Sequence, residues 1–290
     1  MSVAPCRIGP ASFAWGRRTY VMGILNVTTD SFSGDGLADD RDAAVALAER
    51  LVADGADIVD VGGESTRPNA APIDSATERA RVAPVVARLA ATLPVPISVD
   101  TSKPAVAAAA LAAGASIIND VHGLRGDPAM ARVAARHGAT VVAMANLRGV
   151  SYRDVVAAVR EQFRRSLAIA AAAGLAPERV ILDPGFGFGP TPAENLELVR
   201  RLDAVRLPAH PLLLGPSRKS TIGAVLGLPV HERVEGTAAV VAIAIDRGVD
   251  IVRVHDVRAI ARVARMTDAI VRGGALPQRG RPTAEIPARA

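Results

Sequence analysis

The sequence predicts an α/β protein whose eight βα units close into a (β/α)8 barrel of the TIM type. Eight short runs rich in β-branched residues alternate with alanine-rich helical segments, which is the pattern of a parallel sheet built from βα units. Polar side chains follow each of these runs. Because the carboxyl ends of barrel strands meet at one mouth, this favours a closed barrel. The alternative is an open doubly wound sheet, but no run is followed by the Gly-x-Gly-x-x-Gly turn typical of such sheets.

The eight predicted strands are distributed along the chain with a helical segment after each. Four of them begin just after a Gly-Ala or Gly-Val pair, as expected where a helix ends on a glycine and leads into a buried strand. The glycines of these pairs are Gly55, Gly114, Gly138 and Gly248. The predicted strands cover residues 20–25, 57–62, 96–100, 116–119, 140–144, 179–183, 211–215 and 250–254.

Three regions are expected along the chain. Residues 1–18 are predicted to form a strap or hairpin across the barrel bottom, and residues 19–271 to form the barrel domain. Residues 272–290 are rich in Gly, Pro and Arg and are predicted to be a flexible tail. No second domain is expected, because α/β barrels reach this length as one unit.

The composition predicts a globular protein with neither a membrane nor a nucleic-acid partner. Hydrophobic residues make up 50% of the chain. No apolar stretch reaches the roughly 20 residues of a membrane helix and no signal-peptide core is visible, so a cytoplasmic location is expected. The net charge is +5, but the arginines are scattered and aromatic residues are only 3%, unlike a nucleic-acid-binding surface. The single cysteine, Cys6, excludes an internal disulfide and a thiolate metal cluster.

Two loops near the amino terminus carry polar groups that fit an anionic ligand. Asn26 ends the first strand, where its amide oxygen suits Mg²⁺, an ion that prefers oxygen ligands and shares them with substrate phosphates. An ordinary turn explains the same loop. Arg67, in the glycine-bearing loop after the second strand, offers a planar fork to an anionic oxygen. An exposed arginine in an ordinary βα loop is the alternative.

Three strands end on groups that face the barrel axis, namely Asp100, Asn119 and Asp183. Carboxylate and carboxamide groups at one mouth match a ligand whose edge carries several amide-like donors and acceptors. Salt bridges to nearby arginines are the competing explanation, since buried carboxylates are costly when unpaired. A metal site is a third, although no His-rich spacing supports a transition metal.

The last two strands end on cationic groups. Loops at this position hold phosphate in many barrel enzymes. Arg253 and His255 alternate with valines and therefore point to the same side of their strand. Lys219 is one of only two lysines in the chain, and a compact cation there can hydrogen bond to a heterocycle.

Taken together, these motifs resemble those of the dihydropteroate synthases, a family of pterin-binding barrel enzymes. The resemblance covers about residues 19–270 and implies a transferase that joins 6-hydroxymethyl-7,8-dihydropterin diphosphate to 4-aminobenzoate, with Mg²⁺ and release of diphosphate. It also implies a homodimer formed through barrel helices. The motifs that carry it lie at residues 24–33, 60–68, 98–101, 118–120, 183–189, 217–220 and 253–256.

The resemblance also implies roles for individual residues. Catalytic roles fall to Lys219, Asp100, Asp183, Arg253 and His255. The pterin is expected to contact Asp100, Asn119, Asp183, Lys219 and Met144, with Gly215 also in the substrate site. Diphosphate and metal are expected at Asn26, Arg67, Arg253 and His255, and the aminobenzoate at Thr66, Pro68, Phe32, Phe188 and Ser220.

Some positions depart from the family pattern. The loop after the fifth strand lacks the usual histidine after Met144, and Thr29 and Pro216 replace a proline and an aliphatic residue. These changes predict altered loop packing or substrate affinity rather than lost chemistry. Two other functions stay open on the sequence alone: a pterin-binding methyltransferase domain and a catalytically silent pterin-binding paralogue.

Overall fold

The computed structural model describes residues 3–27, 41–64 and 72–273, and these ranges form a barrel of parallel strands preceded by an antiparallel hairpin. The hairpin consists of β1 (Cys6–Ile8) and β2 (Ala11–Phe13). The barrel strands are β3 (Tyr20–Asn26), β4 (Ile58–Gly62), β5 (Ile97–Asp100), β6 (Ile117–Asp120), β7 (Thr140–Met144), β8 (Val180–Asp183), β9 (Leu213–Leu214) and β10 (Ile251–Val254).

The strands pair in the order β8-β7-β6-β5-β4-β3-β10-β9, and the two ends of this order meet. Leu182 of β8 pairs with Leu212, the residue before β9, in an isolated parallel bridge. The Leu182 amide also donates a hydrogen bond to the Pro211 carbonyl, with a donor to acceptor distance of 2.9 Å. The predicted (β/α)8 barrel is therefore confirmed, and the open sheet is excluded.

Seven of the eight strand predictions agree with the structure to within one residue at each end. The exception is β9, which has 2 residues where the segment 211–215 was expected to be extended. Pro211 has no amide hydrogen to donate to a neighbouring strand, and Pro216 follows Gly215 directly. The flanking prolines explain why regular pairing is confined to the two leucines.

Helices follow each barrel strand and pack around the outside. Side-chain caps set several helix starts: Asp74 accepts a hydrogen bond from the Thr77 amide, and Thr191 forms a reciprocal capping box with Glu194. The helices are α1 (Arg41–Ala53), α2 (Ser75–Thr92), α3 (Pro104–Ala112), α4 (Ala129–His137), α5 (Val155–Ala172), α6 (Pro192–Arg200), α7 (Leu202–Val205), α8 (Ser220–Leu226), α9 (Val234–Asp246) and α10 (Val257–Arg272).

The glycines predicted to end helices adopt the expected backbone. Gly55, Gly114, Gly138 and Gly248 all have positive φ angles, between 62° and 110°, a region that glycine enters without steric cost. At Gly138 the residue caps α4 in the left-handed conformation. The chain therefore turns from helix to strand where the sequence predicted.

Side-chain alternation along the strands divides the apolar residues into two cores. Outward residues such as Val59 and Val61 of β4 pack with the helices in the larger core. Inward residues form a separate cluster inside the barrel. Its strand members are Tyr20, Met22, Ile58, Ile117, Val142, Ile181, Leu213 and Ile251.

The hairpin covers the amino-terminal end of the barrel. Ile8, Phe13 and Trp15 join the inner cluster, and the Phe13 ring centroid lies 4.7 Å from that of Tyr20. Apolar side chains therefore close this end of the barrel, while the polar groups lie at the other. None of the described helices combines the length and hydropathy needed to cross a membrane.

The division into strap, barrel domain and tail at residues 18/19 and 271/272 stays a prediction. Helix α10 ends at Arg272, and residues 274–290 of the expected tail lie outside the described part of the chain.

Candidate active site

The same alternation that builds the inner cluster places polar groups above it. Asp60, Asp183 and Arg253 each stand two residues beyond an inner-cluster isoleucine and share its side of the strand. Asn119 stands two residues beyond Ile117 in the same way. The carboxyl ends of the strands therefore form a polar mouth above an apolar floor.

Arg253 connects two carboxylates across this mouth. Its Nε donates a hydrogen bond to Asp60 Oδ2 and its Nη2 to Asp100 Oδ2, both over 2.6 Å. Asn119 Nδ2 donates to the same Asp60 oxygen over 3.0 Å. The salt bridge considered for Asp100 is therefore present. The other oxygens of Asp60 and Asp100, Oδ1 in each, are buried and have no hydrogen-bond partner among the described residues.

Burial controls the charges of this group. It raises the pKa of Asp100 to about 7, although the nearby Arg253 acts to lower it. For Arg253, burial alone would lower the pKa, but Asp60 and Asp100 outweigh it and the pKa is raised. The guanidinium therefore stays charged, while Asp100 can change its protonation state near neutral pH.

Lys219 and Asp183 influence each other's charge at the mouth. Burial lowers the pKa of Lys219 to about 8, with Asp183 opposing the shift. Burial likewise raises the pKa of Asp183, against the effect of Lys219. Asp183 Oδ1 accepts a hydrogen bond from the Gly185 amide over 2.8 Å, and Lys219 Nζ donates to the Phe186 carbonyl.

Phe188 provides an aromatic surface beside this pair. Its ring centroid lies 4.5 Å from Lys219 Nζ and 4.6 Å from the Arg148 guanidinium carbon, within the range of cation-π contacts. The Leu147 amide donates to the Phe188 carbonyl over 2.9 Å. The loops after β7 and β8 are thus joined, and Met144, at the end of β7, is buried next to them.

A glycine is required where these two loops cross. Gly185 has a φ of 74°, and a Cβ atom there would lie 1.9 Å from the Ala145 carbonyl oxygen. Real Cβ atoms do not approach backbone this closely, so only glycine fits. Gly185 therefore fixes the position of Phe186 and Phe188 relative to β7.

The loops after β9 and β10 are joined by hydrogen bonds. Ser217 Oγ lies 2.9 Å from His255 Nδ1 and accepts a hydrogen bond from the His255 amide over 3.1 Å. Arg218 Nε donates to Asp256 Oδ2 over 2.8 Å. Ser220 is exposed at the first position of α8. A Cβ at Gly215 would lie 3.7 Å from Arg253 Cβ, so Gly215 lies directly beside the Arg253 side chain.

The predicted metal residue, Asn26, lies on the same side of the barrel as Asp100. A Cβ on Gly62 would be 3.7 Å from Asn26 Oδ1 and equally far from Asp100 Cβ. Within the described residues, no group of three or more His, Cys, Asp or Glu side chains is placed to hold a metal ion. The oxygen donors present fit a Mg²⁺ ion that takes most of its ligands from substrate phosphate and water.

The structure thus brings the described members of the predicted site to one mouth, while their individual roles stay predictions. Four predicted residues, Phe32, Thr66, Arg67 and Pro68, lie outside the described part of the chain. The sequence analysis gave no role to Asp60, although it accepts hydrogen bonds from both Arg253 and Asn119. A lone acid in the otherwise apolar strand β4 was the available signal.

A family model and several curated relatives match most of this chain. A family model described as pterin binding enzyme matches residues 22–255. The dihydropteroate synthase of Bacillus subtilis is 47% identical over 265 residues, which cover 91% of this chain and 93% of the relative. That of Escherichia coli K12 is 43% identical over 258 residues, covering 86% and 91%.

Solved structures give an equally close match. A dihydropteroate synthase from Clostridium difficile, crystallised in the presence of pteroic acid, superposes with a TM-score of 0.86 at 47% identity, covering 90% of this chain and 99% of that one. The Burkholderia cenocepacia enzyme complexed with 7,8-dihydropteroate gives 0.85 at 40% identity, covering 94% and 98%.

Proposed function

This chain belongs to the dihydropteroate synthase family of pterin-binding enzymes, and from this premise we propose that it condenses 6-hydroxymethyl-7,8-dihydropterin diphosphate with 4-aminobenzoate. The products are 7,8-dihydropteroate and diphosphate, and the reaction serves folate biosynthesis. One observation carries the proposal: Arg253 links Asp60 and Asp100 at the same mouth that holds Asp183 and Lys219.

The mouth has the polar groups that a pterin edge requires. A 7,8-dihydropterin presents its 2-amino group and protonated ring nitrogens as donors, and its 4-oxo group and unprotonated ring nitrogens as acceptors. The buried Oδ1 of Asp100 and the Asp183 carboxylate can accept, while Asn119 and Lys219 can donate. Because a buried acceptor without a partner is costly, a ligand that donates to Asp100 stabilises the site. Met144 then packs against the ring.

The diphosphate would lie toward β3 and β10. Arg253 offers positive charge there and the His255 ring offers a hydrogen bond, and Arg67 of the β4 loop would add a planar fork. Asn26 and diphosphate oxygens would hold Mg²⁺, which neutralises charge on the leaving group. Cations in a site shielded from water lower the free energy of a departing anion.

The chemical step breaks the bond between the exocyclic carbon of the pterin and a diphosphate oxygen. The amine of 4-aminobenzoate forms the new bond to that carbon and loses one proton. The electron-rich pterin stabilises the positive charge that develops on the carbon, so no protein nucleophile is required. A covalent adduct between pterin and enzyme, detected by mass spectrometry, would contradict this step.

The arylamine would approach beside Phe188 and Ser220. The aromatic ring of Phe188 supplies an apolar surface, and the exposed Ser220 hydroxyl lies at the start of α8. Phe32, Thr66 and Pro68 would complete this side of the site. Holding the amine next to the reacting carbon converts a bimolecular encounter into an effectively intramolecular one.

We propose further that the enzyme works in the cytoplasm as a homodimer formed through its barrel helices. Helices α9 and α10 pack against each other and expose large apolar side chains on the outer surface. These include Ile243, which is 48% exposed, Met266 at 64% and Ile270 at 73%. Large apolar side chains exposed on two packed helices are a feature expected of an interface.

The test of the proposed reaction is diphosphate release by the purified protein with pterin diphosphate, Mg²⁺ and 4-aminobenzoate, each omitted in turn. Chromatography follows 7,8-dihydropteroate in parallel. Product that depends on all three components supports the proposal. Pterin binding without product would instead indicate a silent pterin-binding paralogue.

A further inference from the structure

Asp60 lies one layer below the other polar groups of the mouth. In the pairing of β4 with β5, Asp60 lies opposite Ser98, and two residues further along Gly62 lies opposite Asp100. Asp100 in turn lies opposite Asn119 of β6. Inward-facing positions recur every two residues along a strand, so Asp60 is one such position nearer to the apolar floor. Its side chain is 0% exposed, which places it beneath the surface of the mouth.

A single oxygen of Asp60 serves two groups that the proposed function assigns to different parts of the substrate. Oδ2 accepts a hydrogen bond from Arg253 Nε over 2.6 Å and another from Asn119 Nδ2 over 3.0 Å. Asn119 is expected to contact the pterin, and Arg253 the diphosphate. One buried carboxylate therefore contacts both halves of the proposed substrate site from below.

The contact with Asn119 decides which end of its carboxamide faces the barrel interior. A carboxylate oxygen accepts a hydrogen bond, and the amide nitrogen donates it. Nδ2 is therefore directed toward Asp60, and Oδ1, on the other arm of the amide, is directed away from it. The reversed carboxamide would place two acceptor oxygens side by side. Asp60 thus sets the pattern of donor and acceptor that Asn119 offers to a ligand.

The contact with Arg253 orients the guanidinium group. Its Nε donates to Asp60 and its Nη2 to Asp100, so two carboxylates hold one rigid plane at two points. Neutralisation alone does not require this, because Asp100 already supplies a countercharge. A second, completely buried carboxylate is costly, and fixing a particular arrangement is an attested use of such groups.

We propose that Asp60 is a positioning residue that holds Asn119 and Arg253 in their binding orientations, and so aligns the pterin-binding groups with the diphosphate-binding groups. The inference rests on the proposed function for the roles of Asn119 and Arg253. Because Asp60 is fully buried below both side chains, it acts through them rather than by contact with the substrate.

The test changes Asp60 without leaving a buried charge unpaired. Asp60→Leu removes the acceptor at similar volume, and Arg253 keeps Asp100 as its partner. Asp60→Asn is the conservative variant, since it retains an acceptor oxygen. Ser98→Ala is the matched control in the same layer, because Ser98 Oγ is buried without a hydrogen-bond partner among the described residues. Circular dichroism and thermal unfolding verify that each variant folds.

Two binding constants report on the two halves of the site. The probes are 6-hydroxymethyl-7,8-dihydropterin, which carries no diphosphate, and inorganic diphosphate with Mg²⁺. In Asp60→Leu we expect both Kd values to rise about tenfold, because each binding group loses a hydrogen bond to a charged partner. Asp60→Asn is expected to lie between Asp60→Leu and wild type, and Ser98→Ala to match wild type.

A double-mutant cycle with Asn119→Ala separates positioning from general damage. If Asp60 acts on the pterin through Asn119, Asp60→Leu should raise the pterin Kd by less than about twofold once Asn119 is alanine. Its effect on diphosphate binding should persist in that background, since this effect is transmitted by Arg253. General damage to the mouth would instead give pterin losses that add.

Unchanged Kd values in the Asp60 variants, or additive pterin losses in the cycle, would overturn the inference. A wild-type protein that binds neither probe would contradict the proposed function instead. The side-chain amide resonances of Asn119 in an NMR spectrum would then decide the role of Asp60. A shift in Asp60→Leu but not in Ser98→Ala supports the positioning of Asn119, and unchanged resonances in Asp60→Leu would overturn it.

Discussion

At the scale of single residues, the mouth depends on a few buried charges. Lys219 is the sharpest case, since its ammonium group lies beside the Phe188 ring and near the Asp183 carboxylate. Lys219→Ala removes a cation and a hydrogen-bond donor from the mouth. We expect kcat/KM to fall by about 100-fold or more with an unchanged circular dichroism spectrum. Wild-type rates of diphosphate release would remove Lys219 from the site.

The pH dependence of the reaction follows from two opposite pKa shifts. Burial raises the pKa of Asp100 to about 7, so this group is neutral at lower pH, and burial lowers the pKa of Lys219 to about 8, so this group loses its charge at higher pH. The profile of kcat/KM is therefore expected to rise toward pH 7 and fall above pH 8.

A matched variant tests the acid limb of this profile. Asp100→Asn keeps the shape of the side chain but cannot ionise, so it should lower activity and abolish the rise toward pH 7. An unchanged acid limb in Asp100→Asn would assign that limb to another group.

The sequence predicted which side chains lie at the mouth, but it did not predict all of the hydrogen bonds between them. Asp100, Asn119 and Asp183 were placed by strand ends alone. The contact between Arg253 and Asp60 joins residues 193 positions apart. It forms because both side chains point from their strands into the barrel. No local sequence pattern indicates a contact between residues so far apart in the chain, so the sequence analysis assigned no role to Asp60.

At the scale of elements, the glycines that end helices and the alternation of strands with helices predict most of the barrel, whereas the length of the shortest strand is not predicted. The other seven barrel strands agree with their predicted bounds to within one residue, but β9 is limited by the prolines at 211 and 216. Pairing at β9 is decided by neighbours on both sides, since Leu213 and Leu214 pair with β10 while Leu212 pairs with β8.

The capping box of α6 gives a quantitative prediction at this scale. Thr191 Oγ1 accepts a hydrogen bond from the Glu194 amide over 3.3 Å, and Glu194 Oε2 accepts from the Thr191 amide over 2.7 Å. Thr191→Ala should lower the free energy of unfolding by about 1 kcal/mol, measured by urea denaturation.

The control for this change is Thr92→Ala at the last position of α2, where the hydroxyl donates only to the exposed Arg88 carbonyl. Its effect should stay within about 0.5 kcal/mol. Equal losses in the two variants would show that the capping box adds nothing to α6.

At the scale of the whole molecule, the exposed apolar surface on α9 and α10 predicts self-association. Ile270→Arg places a charge in this surface and should convert a dimer into a monomer in analytical ultracentrifugation, because an unpaired buried charge is costly. Val150→Arg changes an exposed valine in the loop after β7 and should leave the dimer intact. A wild-type monomer, or a dimer in Ile270→Arg, would contradict this interface.

The two ends of the barrel have opposite characters, and this polarity underlies the whole account. Aromatic and aliphatic side chains close the amino-terminal end, while carboxylates, amides and cations occupy the carboxyl-terminal mouth. The inward-facing residues of the same strands form the apolar floor and, two residues further along, the polar mouth. The proposed pterin site therefore lies at the polar end of the barrel.

A crystal structure of the protein with bound 7,8-dihydropteroate tests this most directly. The account predicts the pterin edge within hydrogen-bonding distance of Asp100, Asn119, Asp183 and Lys219, with the aminobenzoyl group beside Phe188. A pterin bound elsewhere, or bound at the mouth without contacts to Asp183 and Lys219, would contradict it.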